Sequence, residues 1–221
     1  MTQFTHDTVP TQYADGGGIR FAYRRFGTPG RPPLVFFQHF IGTLDDHDPA
    51  LSDDFARDRE VILFNNAGFS WFGPTADLDV ATFDRLFAAN VRAAYFLVAA
   101  LAPKMGARGS GSIISLGSMA GQIGLAGAAA YSATKATLAA MTRSWAAEFS
   151  PSGVRVNAVA PGPVLTNGAA PDRIEALGAT TMLARAAQPG EIAGLIAFLA
   201  SPKASYITGA VIAADGGRTA I

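Results

Sequence analysis

Two side chains that are four residues apart, Tyr131 and Lys135, form the pair in this sequence best suited to proton transfer. On a helix, residues at this spacing project from one face. An ammonium group close to a phenol stabilises the phenolate, so we expect Lys135 to pull the pKa of Tyr131 down from about 10 towards neutral pH. A tyrosine with such a pKa acts as a general acid or base.

Two further polar side chains, Asn90 and Ser118, precede this pair. Ser118 follows a predicted strand over 112–116, so we expect it at the carboxyl end of the sheet, where it can hydrogen-bond a substrate carbonyl or hydroxyl. Asn90 falls on the packed face of a predicted helix and could hold a water that links Lys135 to solvent. Taken singly, these residues have ordinary structural explanations: a surface pair, a helix cap and a buried amide.

Hydrophobic patterning predicts the elements that position these residues. Continuous apolar runs predict buried strands over 34–37 and 61–64, and further strands are predicted over 112–116, 154–159 and 211–213. Helical spacing predicts helices over 49–58, 79–102, 129–149 and 189–200. Alternation over 19–23, after the turn at 15–18, predicts an antiparallel hairpin. The pattern predicts an α/β fold with a mainly parallel sheet, helices on both faces and a hairpin at its start.

Composition narrows the classes of function. The 221 residues are 49% hydrophobic, which is enough to bury the core of one α/β domain over 1–221. Basic and acidic residues balance at 17 each, so neither nucleic acid nor an anionic membrane is an expected partner. The absence of cysteine excludes disulfides and thiolate zinc sites. With no secretion signal and no apolar run near the ~20 residues of a membrane span, we expect a cytoplasmic protein.

From Asn65 to the C-terminus, the sequence resembles the short-chain dehydrogenase/reductase family. Six features carry the resemblance in the family's order: Asn-Asn-Ala-Gly at 65–68, Asn90, Ser118, the YxxxK spacing of Tyr131 and Lys135, Pro-Gly-Pro-Val-Leu-Thr at 161–166, and Asp-Gly-Gly at 215–217. YxxxK alone is a weak signal, whereas the ordered set is specific.

This resemblance implies a Rossmann-like fold and an NAD- or NADP-dependent oxidoreductase of small carbonyls or secondary alcohols. In such an enzyme Tyr131 transfers the proton, Lys135 lowers its pKa and holds the ribose, Ser118 orients the carbonyl, and Asn90 completes the proton relay. The implied cofactor-binding residues are Asn66, Ala67, Gly68, Tyr131, Lys135, Pro161, Gly162, Val164 and Thr166. The alanine-rich helices over 79–102 and 129–149 resemble those that form the family's homodimers and homotetramers.

The first third of the chain departs from the family pattern. Members normally begin with a strand, a TGxxxGxG loop and a helix whose N-terminal amides hold the cofactor diphosphate. No such loop occurs here, and Gly-Gly-Gly at 16–18 is predicted to be part of the hairpin turn. With Asp45, Asp46 and Asp48 near the diphosphate position, cofactor binding is expected to weaken by ~3 to 4 kcal/mol or to be absent. The alternative function is therefore a catalytically weak or inactive oligomeric relative.

Segment 1–64 resembles the start of an α/β-hydrolase, with a hairpin, a strand over 34–37 and a His-Phe-Ile-Gly turn at 39–42. The sequence thus reads as a chimera of 1–64 and 65–221, joined at a strand common to both families. An esterase is a further alternative. However, the chain lacks a G-x-S-x-G nucleophile elbow, and its three histidines all precede residue 65, whereas the catalytic histidine of that fold follows its serine.

Two expectations concern the junction. His39, Asp45, Asp46, His47 and Asp48 are of metal-ligand type, but we predict a solvated loop whose aspartates cap the next helix, and no bound metal. In the preferred sheet order, strand 34–37 lies beside 61–64, which in turn lies beside 112–116. The alternative order, as in hydrolases, places 34–37 between the other two.

Overall fold

The computed structural model describes residues 4–16, 19–29, 34–37, 60–65, 70–166 and 171–221. The chain forms two compact units, an upstream unit Met1–Gly68 and a downstream unit Phe69–Ile221. Their boundary coincides with the Asn-Asn-Ala-Gly motif at which the two sequence resemblances meet. The predicted helix over 49–58 lies outside the described residues, and the organisation as one domain stays a prediction.

The upstream unit contains a four-stranded sheet. Its strands are β1 (Gln12–Gly16), β2 (Ile19–Gly27), β3 (Leu34–Phe37) and β4 (Glu60–Asn65), in the order β1-β2-β4-β3. β1 and β2 are antiparallel with Gly16 opposite Ile19, which confirms the predicted hairpin. β3 and β4 are parallel with Leu34 opposite Val61, which confirms that strand 34–37 lies beside strand 61–64.

The other edge of β4 is occupied by β2. The two strands run antiparallel, from Ala22 opposite Asn65 to Gly27 opposite Glu60. Both edges of β4 are thus hydrogen-bonded within this sheet, and the expected order with 112–116 beside 61–64 is wrong. The reason is that β2 continues beyond the predicted segment 19–23, through Arg24 and Arg25, and reaches far enough to pair with the whole of β4.

The downstream unit has a parallel sheet of three strands, β5 (Gly111–Leu116), β6 (Val154–Pro161) and β7 (Val211–Ala214), in the order β5-β6-β7. Its helices are α1 (Val80–Phe87), α2 (Ala93–Ala107), α3 (Ala129–Phe149), α4 (Pro171–Gly178) and α5 (Pro189–Ala200). α3 connects β5 to β6, and α5 precedes β7. This alternation is the Rossmann-like arrangement predicted from the sequence, with α3 and α5 bounded as predicted.

Helices cover both faces of the downstream sheet. One buried cluster joins α2 and α3 to β5 and β6 and contains Val98, Ala102, Ile113, Trp145, Ala146, Val154 and Val156. A second cluster joins α5 to β6 and contains Val159, Ile192, Leu199 and Ala204. Ile113 belongs to the first cluster and its neighbour Ile114 packs against the second, because successive side chains of a strand point to opposite faces.

Residues 80–107 form one continuous helical segment. Asp79 caps its start, with the Thr82 N–H donating to Asp79 Oδ1 at 2.8 Å. Between α1 and α2, the residues Ala88–Arg92 form a π turn. The segment continues past the predicted end at 102 because Pro103 is accommodated inside α2 instead of ending it.

Of the helices that the structure describes, the segment 80–107 is the one long and apolar enough to cross a membrane by length and composition. Core helices of soluble proteins meet the same criterion. Leu86, Asn90 and Val98 of this segment are buried.

Candidate active site

Ser118 lies just beyond the carboxyl end of β5, where the sequence places it. Its Oγ accepts a hydrogen bond of 3.1 Å from the Ala120 N–H and caps the short 3₁₀ helix Met119–Gly121. The preceding residue, Gly117, donates its N–H to the Val159 carbonyl of β6 at 2.7 Å. A Cβ at position 117 would approach that oxygen to 3.2 Å, so glycine allows this tie between Ser118 and the sheet.

Tyr131 and Lys135 lie near the start of α3, and both side chains are buried. Lys135 Nζ donates a hydrogen bond of 3.0 Å to the carbonyl of Leu116, the last residue of β5. The same nitrogen lies 5.7 Å from the centroid of the Tyr131 ring. The end of β5 and the start of α3 therefore bring Ser118, Tyr131 and Lys135 together.

Burial controls the titration of both side chains. It raises the pKa of Tyr131, and a hydrogen bond with the Ser118 side chain acts against that rise. The expected lowering of this pKa by Lys135 is therefore wrong, since the ring is desolvated and the ammonium group donates to Leu116 instead. Burial also lowers the pKa of Lys135 to about 8.

Asn90 is buried within the π turn and faces α3. Its Nδ2 donates to Thr134 Oγ1 at 3.1 Å, and Thr134 Oγ1 donates to the Tyr131 carbonyl at 2.7 Å. Asn90 is thus joined to the turn of α3 that carries Tyr131 and Lys135 by side-chain hydrogen bonds. The water-mediated link to Lys135 stays a prediction.

Gly121 lets the 3₁₀ helix pack directly on α3. A Cβ at this position would lie 2.8 Å from the Ala136 nitrogen and 2.9 Å from the Lys135 carbonyl carbon. Because no other residue fits without displacement, Gly121 fixes the distance between the Ser118 loop and the Lys135 turn. The sequence analysis did not identify this role of Gly121. The available signal was the position of a glycine three residues after Ser118.

The first half of the 161–166 segment packs against the end of β7. Gly162 donates its N–H to the Ala214 carbonyl at 3.1 Å, and a Cβ at 162 would lie 2.7 Å from the Asp215 Cα. The Asp215 carboxylate accepts hydrogen bonds from the Gly217 and Thr219 N–H groups. Burial raises the pKa of Asp215, but these hydrogen bonds outweigh it and leave the pKa lowered. The Asp-Gly-Gly motif therefore has a structural function here.

The second half of this segment runs beside residue 187. Val164 forms a parallel bridge with Ala187, and the Leu165 N–H donates to the Ala187 carbonyl at 2.9 Å. Thr166 is the last described residue before 167–170. The assignment of Pro161, Gly162, Val164 and Thr166 to cofactor binding stays a prediction.

Several predicted residues lie outside the part of the chain that the structure describes. They are Asn66, Ala67 and Gly68, the turn at 39–42, and the His and Asp residues at 39 and 45–48. Within the described ranges, no group of three or more His, Asp or Glu side chains could hold a metal ion. The expectation that no metal is bound stays a prediction.

Two side chains near Tyr131 were not found from the sequence. The Phe72 ring packs on the Tyr131 ring, with centroids 5.4 Å apart and planes tilted by 51°. The guanidinium carbon of Arg173, on α4, lies 4.8 Å from the Phe72 centroid. Neither residue belongs to a motif, and the Ala/Gly-rich composition of 167–182 obscured α4. The proline at its first position was the available signal.

A cleft of about 260 Å³ has a lining that does not include Ser118, Tyr131 or Lys135. Its lining includes Pro163, Leu183, Arg185, Glu191 and Asp215. Arg185 and Glu191 form a two-pronged ion pair with N–O distances of 2.8 Å, which lowers the pKa of Glu191 to about 2. Neither Ser118 nor Tyr131 lines this cleft. The acid–base group therefore locates the candidate active site better than the cleft does.

Comparison with protein families gives a match over most of the chain. The family model described as enoyl-(acyl carrier protein) reductase matches residues 54–219. The match includes every candidate acid–base residue and leaves out most of the upstream unit. The resemblance of 1–64 to an α/β-hydrolase stays a prediction.

Individual relatives of this chain are also dehydrogenases or reductases. The chain is 39% identical over 171 residues to 2-(S)-hydroxypropyl-CoM dehydrogenase 3 of Xanthobacter autotrophicus, covering 72% of this chain and 66% of that protein. A solved short chain dehydrogenase/reductase family protein is 50% identical with a TM-score of 0.65, covering 71% of this chain and 66% of the other. A gluconate 5-dehydrogenase from Burkholderia cenocepacia, solved with NADP and tartrate, is 27% identical with a TM-score of 0.66 and coverages of 71% and 63%.

The chain thus spans about two thirds of the length of these relatives. The matched part contains the parallel sheet, the helices on its faces and the Ser118, Tyr131 and Lys135 group. On this sequence match and this fold, the chain belongs to the short-chain dehydrogenase/reductase family.

Proposed function

We propose that this chain is an NAD- or NADP-dependent oxidoreductase that interconverts a small carbonyl compound and a secondary alcohol. The observation that carries the proposal is the convergence of Ser118, Tyr131 and Lys135 where β5 ends and α3 begins. A hydroxyl and a phenol joined by a hydrogen bond, with an amine beside them, are the groups needed to bind a carbonyl oxygen and exchange a proton with it.

In the reductive direction, Tyr131 donates its phenolic proton to the carbonyl oxygen, and Ser118 donates a hydrogen bond that orients that oxygen. Burial keeps Tyr131 protonated, which suits a proton donor. Lys135, with a pKa of about 8, exchanges protons close to neutral pH and can restore the proton of Tyr131. Asn90 holds the intervening turn through Thr134 and is proposed to complete the relay.

The residues present fit the nicotinamide and ribose end of the cofactor. Tyr131 and Lys135 supply a hydroxyl and an amine beside the end of β5, and Pro161–Thr166 passes beyond the end of β6. Dinucleotides lie at the carboxyl ends of parallel strands in such folds. When bound, the nicotinamide supplies or accepts the hydride.

The diphosphate end has a poorer fit. Gly16, the first of the three glycines at 16–18, ends β1 of an antiparallel hairpin, so no helix N-terminus follows it to present amides. We therefore expect weak cofactor binding, with dissociation constants of roughly millimolar instead of micromolar.

A second candidate is a catalytically weak or inactive family relative that functions as an oligomer. The favouring observation is a set of apolar side chains that α1 and α2 leave exposed: Val80, Phe83, Tyr95 and Phe96. A homodimer or homotetramer that covers these side chains is proposed for either function. A monomeric mass in light scattering would refute that assembly.

An esterase is the least favoured proposal. The Ser118 hydroxyl accepts from Ala120 and bonds to Tyr131, and the downstream unit contains no histidine to activate it. The balanced charge supports a protein without nucleic acid or membrane partners, and a cytoplasmic location is proposed on the absence of cysteine.

Calorimetric titration with NADH and with NADPH, followed by rate measurements with small ketones at millimolar cofactor, tests the main proposal. We expect measurable binding and turnover, and a loss of turnover of at least about a hundredfold in Tyr131→Phe. Absence of both binding and turnover would instead favour the inactive relative. A nitrophenyl ester assay tests the esterase, and ester cleavage that Ser118→Ala abolishes would support it.

A further inference from the structure

The three side chains Arg173, Phe72 and Tyr131 form a continuous stack. The Arg173 guanidinium lies 4.8 Å from the Phe72 centroid, and the Phe72 ring lies 5.4 Å from the Tyr131 ring. We propose that Phe72 and Arg173 determine specificity by selecting substrates that carry an anionic group, a carboxylate above all, a few carbons from the reacting carbonyl or hydroxyl. This inference rests on the proposed function, because it takes Tyr131 as the residue that meets the reacting oxygen.

Backbone contacts fix the position of Phe72. The next residue, Gly73, donates its N–H to the Gly127 carbonyl at 2.9 Å. Gly127 has a φ of +74°, which favours glycine, and a Cβ there would lie 3.2 Å from the Gly73 carbonyl oxygen. Gly127 also lies just before α3, so the same contact that holds the Phe72 segment holds the start of the helix that carries Tyr131.

Arg173 has a charge that the described protein does not neutralise. Its side chain is exposed on α4, and its one contact within the described ranges is the Phe72 ring face. Arg185, by contrast, is fully engaged by Glu191. A guanidinium held on an aromatic face keeps its N–H donors at the edges available, and those donors match a carboxylate.

In this stack, the apolar Phe72 ring lies beside Tyr131, and the Arg173 guanidinium lies on Phe72 and further from Tyr131. A substrate whose carbonyl oxygen reaches Tyr131 would lay its carbon chain along Phe72 and its carboxylate at Arg173. The oxo acids 4-oxopentanoate, 5-oxohexanoate and 6-oxoheptanoate test this arrangement. The uncharged ketones 2-hexanone, 2-heptanone and 2-octanone have matching chain lengths.

Binding is measured by calorimetry in the absence of cofactor and in the presence of the oxidised cofactor, NAD⁺ or NADP⁺, which cannot reduce a ketone, so that it does not depend on turnover. We expect at least one oxo acid to bind about tenfold more tightly than its matched ketone, since charge-assisted hydrogen bonds favour the acid. Arg173→Gln should abolish this preference and Arg173→Lys should keep part of it. Arg143→Gln makes the same charge change at an exposed position of α3 and should leave the preference intact.

A second readout tests Phe72. In protein labelled with ¹³C at tyrosine Cζ, Phe72→Ala should lower the pKa of Tyr131, because burial raises it in the native protein, and Phe72→Leu should lower it less. Equal affinities for acids and ketones, or a preference that survives Arg173→Gln, would overturn the inference. If the preference is present but no ketone is reduced, the proposed function fails while the binding specificity stands.

Discussion

The side-chain amide of Asn90 donates a hydrogen bond of 3.1 Å to the hydroxyl of Thr134, which joins the π turn of one helical segment to the turn of α3 that carries Tyr131 and Lys135. Both side chains are buried. Thr134 lies between Tyr131 and Lys135, so this bond sets how the candidate acid–base turn sits against the π turn.

Replacing Thr134 by valine should therefore destabilise the protein by about 1 to 3 kcal/mol, because two buried hydrogen bonds, the one from Asn90 and the one to the Tyr131 carbonyl, are lost while the shape is kept. Urea denaturation gives this free energy of unfolding. Thr137→Val is the matched control, since the Thr137 hydroxyl bonds only to the Ala133 carbonyl of its own helix. Equal effects of the two substitutions would show that the bond from Asn90 contributes nothing.

Lys135 should make stability increase with pH. Its pKa is about 8 in the folded chain and about 10.4 when unfolded, so the unfolded state binds more protons between these values and the free energy of unfolding rises. Relative to Lys135→Met, the native protein should gain on the order of 1 to 3 kcal/mol between pH 7 and 10. Urea denaturation at several pH values measures the gain, and Lys104→Met, at an exposed position of α2, should preserve it. Parallel curves for the native protein and Lys135→Met would contradict the burial of this amine.

Ser118→Ala should raise the pKa of Tyr131 further, because the hydrogen bond with Ser118 is the contribution that lowers it. Titration of ¹³C-labelled tyrosine, with Tyr131 assigned from its absence in Tyr131→Phe, follows the change. Ser118→Thr should restore the native value. Ser132→Ala is the control, since the buried Ser132 hydroxyl has no hydrogen-bond partner within the described residues. An unchanged titration in Ser118→Ala would show that the two hydroxyls act independently.

Glu191 should contribute stability that disappears in acid. Its pKa is lowered to about 2 by the hydrogen bonds from Arg185 and Gln188, so the contribution is complete above the unfolded pKa of about 4.3 and is lost as pH falls towards 2. Acid unfolding followed by circular dichroism should be less steep for Glu191→Gln and for Arg185→Gln. Glu175→Gln, at an exposed position of α4, should unfold as the native protein does.

The downstream unit was largely predictable because its patterns are local. The apolar strands and the bounds of α3 and α5 follow directly from periodicity and from the proline that begins α5. Ser118, Tyr131 and Lys135 were found because a strand end and a helical spacing place them without reference to distant residues. The direction of the Tyr131 pKa was missed because burial is a property of the packed fold, which the spacing of two residues does not reveal.

The upstream sheet and the stack over Tyr131 were harder to predict because they depend on distant contacts. The second half of β2 contains Arg24 and Arg25, which break the apolar alternation, so its pairing with β4 had no sequence signal. Phe72 and Arg173 are far apart in sequence and meet only through the fold. Neither phenylalanine nor arginine is an unusual residue type in its own segment.

The π turn at Ala88–Arg92 has a further consequence. An i→i+5 turn contains one residue more than the surrounding helix would need, so the buried stripe of α1 is out of phase with that of α2. On α2, the buried residues are Ala93, Val98 and Ala102. Removing one residue from this turn would rotate α2 by about 100° about its own axis. The Asn90 amide would then still face α3 while Val98 turned away from the core, so a one-residue deletion would disrupt the packing of the whole segment.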